Sequence, residues 1–331
     1  TEVSGILVTL DTLENVVDEA IAENCNLIVS FHPIIFDTLK KLTGASYVER
    51  VVIKAIENKI AIYSMHTALD NASEGVNTTI CDILGIKNRS VLIPKKKSIK
   101  KLTTYVPVDD CNTLKAALFA AGAGTIGNYS NCSFTTEGTG SYKAGASANP
   151  TKGEIGRTHY EKETQINVTY AISDEGKVLR ALSKNHPYEE IAYEIITLEN
   201  TDQNIGMGMI GELDRAMEGG AFLQHVKEKM KASCIRHSQI LNKKIKKVAV
   251  LGGSGAYAIG AAKSAGADAF VTADVKYHQF YNAEEKLLIT DIGHYETEQF
   301  TKNLLVDYLS KKIPNFAIRL SASKTNPINY L

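Results

Sequence analysis

The feature that most constrains the fold is an alternation of strand-like and helix-like segments that breaks off and later resumes. In the first hundred residues "SGILVTL" reads as a strand, "TLENVVDEAIAEN" as an amphipathic helix and "LIVSF" as a short apolar strand. "SYVERVVIKAIENK" reads as a second helix with Val48, Val51, Val52, Ala55 and Ile56 on one face. "IAIYSM" follows as a strand and "GVNTTICDILG" as a helix closed by Gly85. Such alternation predicts a largely parallel sheet covered by helices. From "GMGMIGEL" onward it returns, with strands in "KKVAVLGG", "AFVTAD", "LLITDIGH" and "FAIRLSA". The helices between them are "AYAIGAAKSAG" and a long "ETEQFTKNLLVDYLSKKI".

The intervening stretch has a different order. "LTTYVP" (strand), "CNTLKAALFAAG" (helix), "YSNCSFTTEG" and "TQINVTYAI" (strands), "EGKVLRALSKN" (helix) and "EIAYEIITLE" (strand) give βαββαβ. That is the ferredoxin-like arrangement. The sequence therefore predicts an α/β chain whose core is two α/β halves, residues 1–98 and 203–331, with a self-contained module at 99–202. A length of 331 residues suits two domains. "PKKKSIKK" (residues 94–101) reads as a solvated linker into the module.

Lys+Arg and Asp+Glu are both 37, so the formal net charge is zero. That balance argues against bulk electrostatic capture of nucleic acid or an anionic membrane. The cysteines (Cys25, Cys81, Cys111, Cys132 and Cys234) are odd in number and lack any CxxC pair. They suggest neither a disulfide framework nor a thiolate zinc site. No apolar run reaches the roughly 20 residues that span a bilayer. A reducing, cytoplasmic setting is expected. The chain opens at "TEVSGILVTL", without Met and already entering a strand, so a preceding segment is expected to be missing.

In open α/β sheets, ligands gather beyond the carboxyl ends of the strands. "LIVSFHP" delivers His32 there, and "IAIYSMHTALDN" delivers His66 and Asp70. "AFVTADVKYH" delivers Asp274, Lys276 and His278, and "LLITDIGHYETEQF" delivers Asp291, His294 and Glu298. His294 and Glu298, at i and i+4, share one helical face. They read either as a ligand pair or as a helix start with an exposed glutamate. His32 reads as a ligand or as a satisfied turn histidine, and Asp70 as a ligand or an Asx turn. Together the two histidines and two carboxylates make a mixed N/O set that suits Zn, Mn, Fe(II), Co or Ni.

Other motifs are weaker. Gly252, Gly253 and Gly255 of "LGGSGAYAIG" form either a phosphate-binding turn or a tight strand-to-helix packing site, with no GxGxxG and no Walker lysine. "GAGTIGNY" (residues 122–129) reads as a turn. "HPYEE" (residues 186–190) reads as a helix-stop turn without a catalytic partner. Ser254 is not a nucleophile elbow, since no glycine lies two residues before it.

"SFHPIIF", "HTALDNASEGVN", "VTADVKYH" and "DIGHYETEQF", in that order, resemble the Nif-three-like family. Bacterial members of that family carry the name GTP cyclohydrolase 1 type 2. The module with "GAGTIGNYSNCSF" and "HPYEE" is similar to the extra PII/CutA-like domain of longer bacterial members. The resemblance implies a dinuclear metal site and a toroidal homohexamer with the sites facing a central cavity. His32, Asp70, His294 and Glu298 fall on the family's ligand positions, with Asp70 and Glu298 as candidate bridges. His66 and His278 would stand close by, beside the ligands or as proton carriers. The chain departs from the family at Phe31, where a second histidine is common, so one or two divalent ions per chain are expected.

The first functional reading is a metal-dependent hydrolase, GTP cyclohydrolase 1 type 2-like. It would use metal-activated water on a small phosphorylated or nucleotide-like substrate. His66 or His278 would move protons, and Lys276 would meet a phosphate or oxyanion. The alternative is a metal-binding regulatory or adaptor protein without catalysis. A nucleic-acid-binding ring would rest only on the implied shape and on the lysines from Lys95 to Lys101.

Overall fold

The strands are numbered β1 to β14 in chain order. The first sheet contains β1 (Ile6–Thr9), β2 (Leu27–Ser30), β3 (Ala61–Ser64) and β14 (Ile318–Leu320), ordered β14-β1-β2-β3 with every neighbour parallel. Alternation along a strand sends successive side chains to opposite faces, and both faces here are covered. Leu7 and Ile28 pack with Val16, Val17, Ala20, Val51 and Ala55 of the helices Glu14–Ala22 and Tyr47–Glu57. Ile6, Val8 and Val29 pack on the other face against Leu305 of the helix Thr301–Lys312.

The chain, seen in a computed structural model that describes residues 2–331, forms two compact units. One comprises Thr1–Pro94 with Gln203–Leu331, and the other Lys95–Asp202. The first unit holds a second sheet of β4 (Ile86–Lys95), β9 (Asp202–Met217), β10 (Arg236–His237), β11 (Ile245–Ser254), β12 (Ala269–Ala273) and β13 (Leu288–Asp291). Its order is β10-β13-β12-β11-β9-β4. β11, β12 and β13 run parallel, while β9 and β10 are antiparallel to β11 and β13. Every residue of β12 and β13 is buried, as expected of parallel strands covered on both faces.

The second unit contains β5 (Ile99–Pro107), β6 (Phe134–Lys143), β7 (Thr158–Ala171) and β8 (Tyr193–Thr197), with helices Cys111–Ala120 and Glu175–Asn185. The antiparallel sheet has order β6-β7-β5-β8. Leu102, Val106, Ile166 and Val168 face Leu114, Leu118, Val178 and Leu182 of the two helices.

Four local expectations are corrected. The long C-terminal helix is two helices, His294–Glu298 and Thr301–Lys312, and Gln299 Nε2 at the break donates to Met230 O at 2.8 Å. The lysine run is mostly strand, since β4 ends at Lys95 and β5 begins at Ile99; Lys100 is ion-paired with Glu175 at 2.6 Å. The strand read from Tyr129 begins at Phe134, because Gly127 and Asn131 take positive φ in a turn. In the helix Tyr47–Glu57, Ile56 is 63% exposed and Glu49 is buried. Ser46 caps the helix, its Oγ accepting from Glu49 N, and the Glu49 carboxylate accepts from Thr43 N, Thr43 Oγ1 and Ser46 Oγ. Those bonds, led by the one from Thr43 N, hold its carboxyl down at about 2. Among the described residues no helix is long and apolar enough to cross a membrane.

Candidate metal centre

The sharp polar residues come from the carboxyl ends of strands in both sheets of the first unit. β2 leads directly to Phe31 and His32. Phe31 is fully buried in the core and its ring lies 4.9 Å from that of His32 and 5.7 Å from that of His66. β13 leads through Gly293 (φ +98°) into the short helix that carries His294 and Glu298. A side chain at 293 would strike the Glu296 carboxylate at 2.2 Å, so glycine is required at that turn.

His32, His294 and Glu298 converge, with one potential ligand atom from each lying within 4.8 Å of the others. His32 Nε2 is 3.0 Å and His294 Nε2 3.1 Å from Glu298 Oε2. Yet His32 Nε2 and Glu298 Oε2 are buried without a hydrogen-bond partner, so the close approach lacks hydrogen-bond geometry. Glu298 is only 4% exposed, which overturns the exposed-glutamate reading of the His294/Glu298 pair. Without a metal ion only the two imidazoles meet this buried carboxylate, and a buried carboxylate needs a cation beside it. Ligand atoms about 2.1 Å from one tetrahedral ion lie about 3.4 Å apart, so the observed spacings fit a divalent cation with imidazole and carboxylate donors.

The outward nitrogens of both rings are held by carboxylates. His32 Nδ1 meets Asp11 Oδ1 at 2.7 Å, and Asp11 Oδ2 in turn accepts from Thr325 Oγ1 at 2.6 Å. His294 Nδ1 meets Asp274 Oδ2 at 2.6 Å. A carboxylate on the far nitrogen fixes the tautomer and orients a metal-binding imidazole. Burial alone would lower the His32 pKa, but Asp11 and Glu298 outweigh it and bring it to about 9. Glu298, opposed by burial and aided by Asp274, likewise raises His294 to about 9. Burial would raise Glu298, and the two imidazoles reverse that and lower it.

Asp70 ends the helix His66–Asp70 and stands outside the convergent three. Its Oδ1 is buried and unpartnered, so it makes no Asx turn. Burial first, and then the charge of Glu298, raise its pKa to about 7. His66 opens the same helix at φ +30°, a conformation that costs a non-glycine residue about 1–3 kcal/mol and recurs at functional sites. Its ring is 5.5 Å from that of His32 and 5.8 Å from that of Phe36, and burial lowers its pKa. Lys276 and His278 are exposed, and the ring contacts of His278 are with Tyr277 and Tyr281. No contact joins either to the three convergent residues among those described. Asp291 is committed elsewhere: its carboxylate accepts from Val275 N, Gly293 N and Arg236.

One feature of the site escaped the sequence. Asp11 lies beyond the carboxyl end of β1, where the strand-end rule already pointed, but "LDTLEN" reads as an ordinary helix start. Of the two readings for the glycines at the end of β11, the structure has the packing one. Gly252 N donates to Asn77 Oδ1 and Gly253 N to Thr297 Oγ1. A Cβ at Gly253 would fall 2.4 Å from Glu298 Oε1, and one at Gly252 2.8 Å from Val76 Cγ1. These glycines leave room for the buried carboxylate and the helix Val76–Leu84, which is the tight-packing reading.

Fold and site define an α/β protein with a His/Glu cluster able to hold a divalent cation between two sheets. The family model of Duf34/NIF3 (NGG1p interacting factor 3) matches residues 1–327, and the chain belongs to this family. A Bacillus subtilis protein named GTP cyclohydrolase 1 type 2 homolog is 38% identical over 335 residues, covering 99% of this chain and 90% of the relative. A Halalkalibacterium halodurans protein of the same name is 36% identical, also covering 99% and 90%. A crystal structure of a Bacillus cereus protein related to NIF3 superposes with a TM-score of 0.86 at 37% identity, covering 100% of this chain and 90% of that one.

Proposed function

We propose that the chain is a metal-dependent hydrolase of the GTP cyclohydrolase 1 type 2 kind, acting on a small phosphorylated or nucleotide-like substrate. The observation that carries this reading is the convergence of His32 and His294 on the buried Glu298, with His32 Nε2 and Glu298 Oε2 lacking hydrogen-bond partners. These three residues would hold the ion, and Asp70, with its unpartnered Oδ1, would be the fourth ligand. A bound divalent ion (Zn, Mn, Fe, Co or Ni) supplies the Lewis acidity that activates water near neutral pH. Asp11 and Asp274 fix the imidazoles. His66, close to His32 and shifted toward its neutral form, would take a proton. Lys276 and His278 would act from the exposed rim. Phe31 is part of the hydrophobic core and offers no donor, which favours one ion over two.

The Nif-three-like core would span residues 1–98 and 203–331. The inserted 99–202 would be a PII/CutA-like, ferredoxin-like domain, supported by its βαββαβ order. A toroidal homohexamer would bury apolar side chains exposed in the first unit, among them Ile35, Phe36, Ile56 and Tyr63. A cytoplasmic setting accords with five unpaired cysteines.

The test is elemental analysis of protein purified without chelator or metal-affinity resin, alongside hydrolysis assays on nucleotides and phosphate esters. Metal bound by the wild type, with both metal and hydrolysis lost in Glu298→Ala, supports the reading. Hydrolysis that survives metal removal rejects it. Metal binding without hydrolysis of any substrate leaves the regulatory or adaptor alternative.

A further inference from the structure

The second unit contains a cavity of about 520 Å³ that the metal chemistry does not use. Its floor is the face of the antiparallel sheet turned away from the helices. Paired residues of antiparallel strands project to the same side, and the pairs Thr136↔Gln165, Gly138↔Glu163 and Tyr105↔Gln165 put these side chains on one face. The opposite face carries the apolar core. Gly140 belongs to the floor because a Cβ there would lie 2.0 Å from Glu163 Oε2. Glycine lets the Glu163 carboxylate lie flat on the sheet.

The cavity is built rather than incidental. Three bonds fasten its walls: Tyr142 Oη donates to Lys152 O, Thr151 Oγ1 to Pro187 O, and Asn149 N to Glu189 Oε2. The first holds the segment after β6 to β6 itself, and the other two tie that segment to the "HPYEE" segment. His186 anchors that segment from below, buried and bonded to Tyr105 O at 2.9 Å. Tyr188 Oη then reaches across to Glu163 Oε1 at 2.8 Å. The motif whose sequence reads as a helix-stop turn thus forms one wall of a pocket whose size suits an organic ligand.

The lining chemistry has one sign. Glu137, Glu163, Glu189 and Glu190 line the cavity, with no lysine, arginine or histidine among the lining residues. None of the four carboxylates is ion-paired among the described residues, and the nearby cations Lys152 and His159 are both engaged by Glu161. The rings of Tyr105, Tyr142 and Tyr188 supply aromatic faces, and a cation over a tyrosine ring is attracted by its quadrupole. A metal ion does not match this arrangement. Metal ligands converge, and among the described residues the only group of three His, Cys, Asp or Glu ligand atoms within 4.8 Å is the His32, His294 and Glu298 cluster. Carboxylates spread around an aromatic-walled cavity suit a ligand whose positive charge is itself spread along an apolar body.

We propose that this cavity binds a small aliphatic polyamine or guanidinium compound, independently of the metal centre. Glu163 and Glu189 meet its charged ends, and the tyrosines cover its methylene chain. The experiment is calorimetric titration of the full chain with spermidine and with agmatine, using AMP as an anionic control. Saturable spermidine or agmatine binding, one per chain, is expected, with no response to AMP. Glu163→Gln keeps the acceptor for Tyr188 but removes the charge and is expected to weaken binding about tenfold or more. Tyr142→Ala is expected to weaken it to a similar degree without changing metal content. Glu194→Gln, on an exposed side chain outside the lining, is expected to bind as the wild type does. Absence of saturable binding at millimolar ligand overturns the proposal. So does equal weakening by Glu163→Gln and Glu194→Gln, which would mean general surface charge. Full solvent protection of Tyr142 and Tyr188 in the ligand-free assembly, without binding, would assign the cavity to a neighbouring copy of the chain and also overturn it.

Discussion

Replacing Gly253 by alanine tests whether the glycine turn exists to accommodate the buried carboxylate. Gly253 has φ +66°, and an L-residue there costs roughly 1–2 kcal/mol from backbone sterics alone. The added Cβ would also lie 2.4 Å from Glu298 Oε1, about 1 Å inside ordinary contact, while His294 Cε1 at 3.4 Å is tolerable. Relieving that overlap by moving a packed carboxylate or the strand costs about 1–3 kcal/mol more. Gly253→Ala should therefore lose about 2–5 kcal/mol in the metal-free protein, by adding the two contributions. In a Glu298→Ala background only the backbone part remains, so the coupling in a double-mutant cycle should be about 1–3 kcal/mol. Hydrogen exchange of the β11 amides under increasing denaturant reads the unit concerned. If Gly253→Ala costs the same in both backgrounds, the carboxylate is not what requires glycine, and the account of this turn is wrong.

Other outcomes follow from the same geometry. Asp11→Asn and Asp274→Asn should each weaken metal binding about 10–100-fold while leaving the fold intact, measured by competition with a chromophoric chelator; unchanged affinity would show that these carboxylates do not orient the rings. Phe31→His places an imidazole in the buried core at a cost of about 1–3 kcal/mol. It is expected to raise metal content from one ion per chain to two by elemental analysis, and a loss of stability with no extra metal would argue against that position as a ligand site. Glu49 is held down at about 2 by its bonds from Thr43 and Ser46, so its carboxylate contributes stability above its unfolded value near 4.5 and loses it as pH falls toward 2. Glu49→Gln should thus be less stable than wild type at neutral pH, with the gap narrowing in acid. A gap that does not change with pH would contradict that assignment.

The ends of the parallel strands were the most legible part of the site, because topology alone says where ligands collect in such sheets. That rule found His32, His294 and Glu298 from two short motifs. It placed Lys276 and His278 at the same level of interest, since a sequence does not show which strand-end side chains turn inward. Burial decided the matter for Glu298, whose i+4 relation to His294 is equally compatible with an exposed helix start. Asp11 was hidden by its ordinary setting before a helix, and only its 2.7 Å contact with His32 reveals its role. The break after Glu298 was invisible because the polar and apolar pattern runs through Gln299 without a glycine or proline. Ile56 fits the apolar period of its helix, yet it is exposed, because helical periodicity does not say how far a covered face extends.

The parallel pairing of β14 with β1 sets the order in which the molecule can be completed. Ile6 lies opposite Ile318 and Val8 opposite Leu320, so a strand near the start of the chain keeps an open edge until residues near its end have been synthesised. Residues 95–202 are contiguous and have their own core, so they can fold while that edge is still waiting. The residues proposed to hold the metal have the same long separation, with His32 made early and His294 and Glu298 made late. Contacts so distant in sequence carry a large loop-closure cost, so the proposed metal centre is expected to assemble late in folding, and metal uptake would then report that the first sheet has closed.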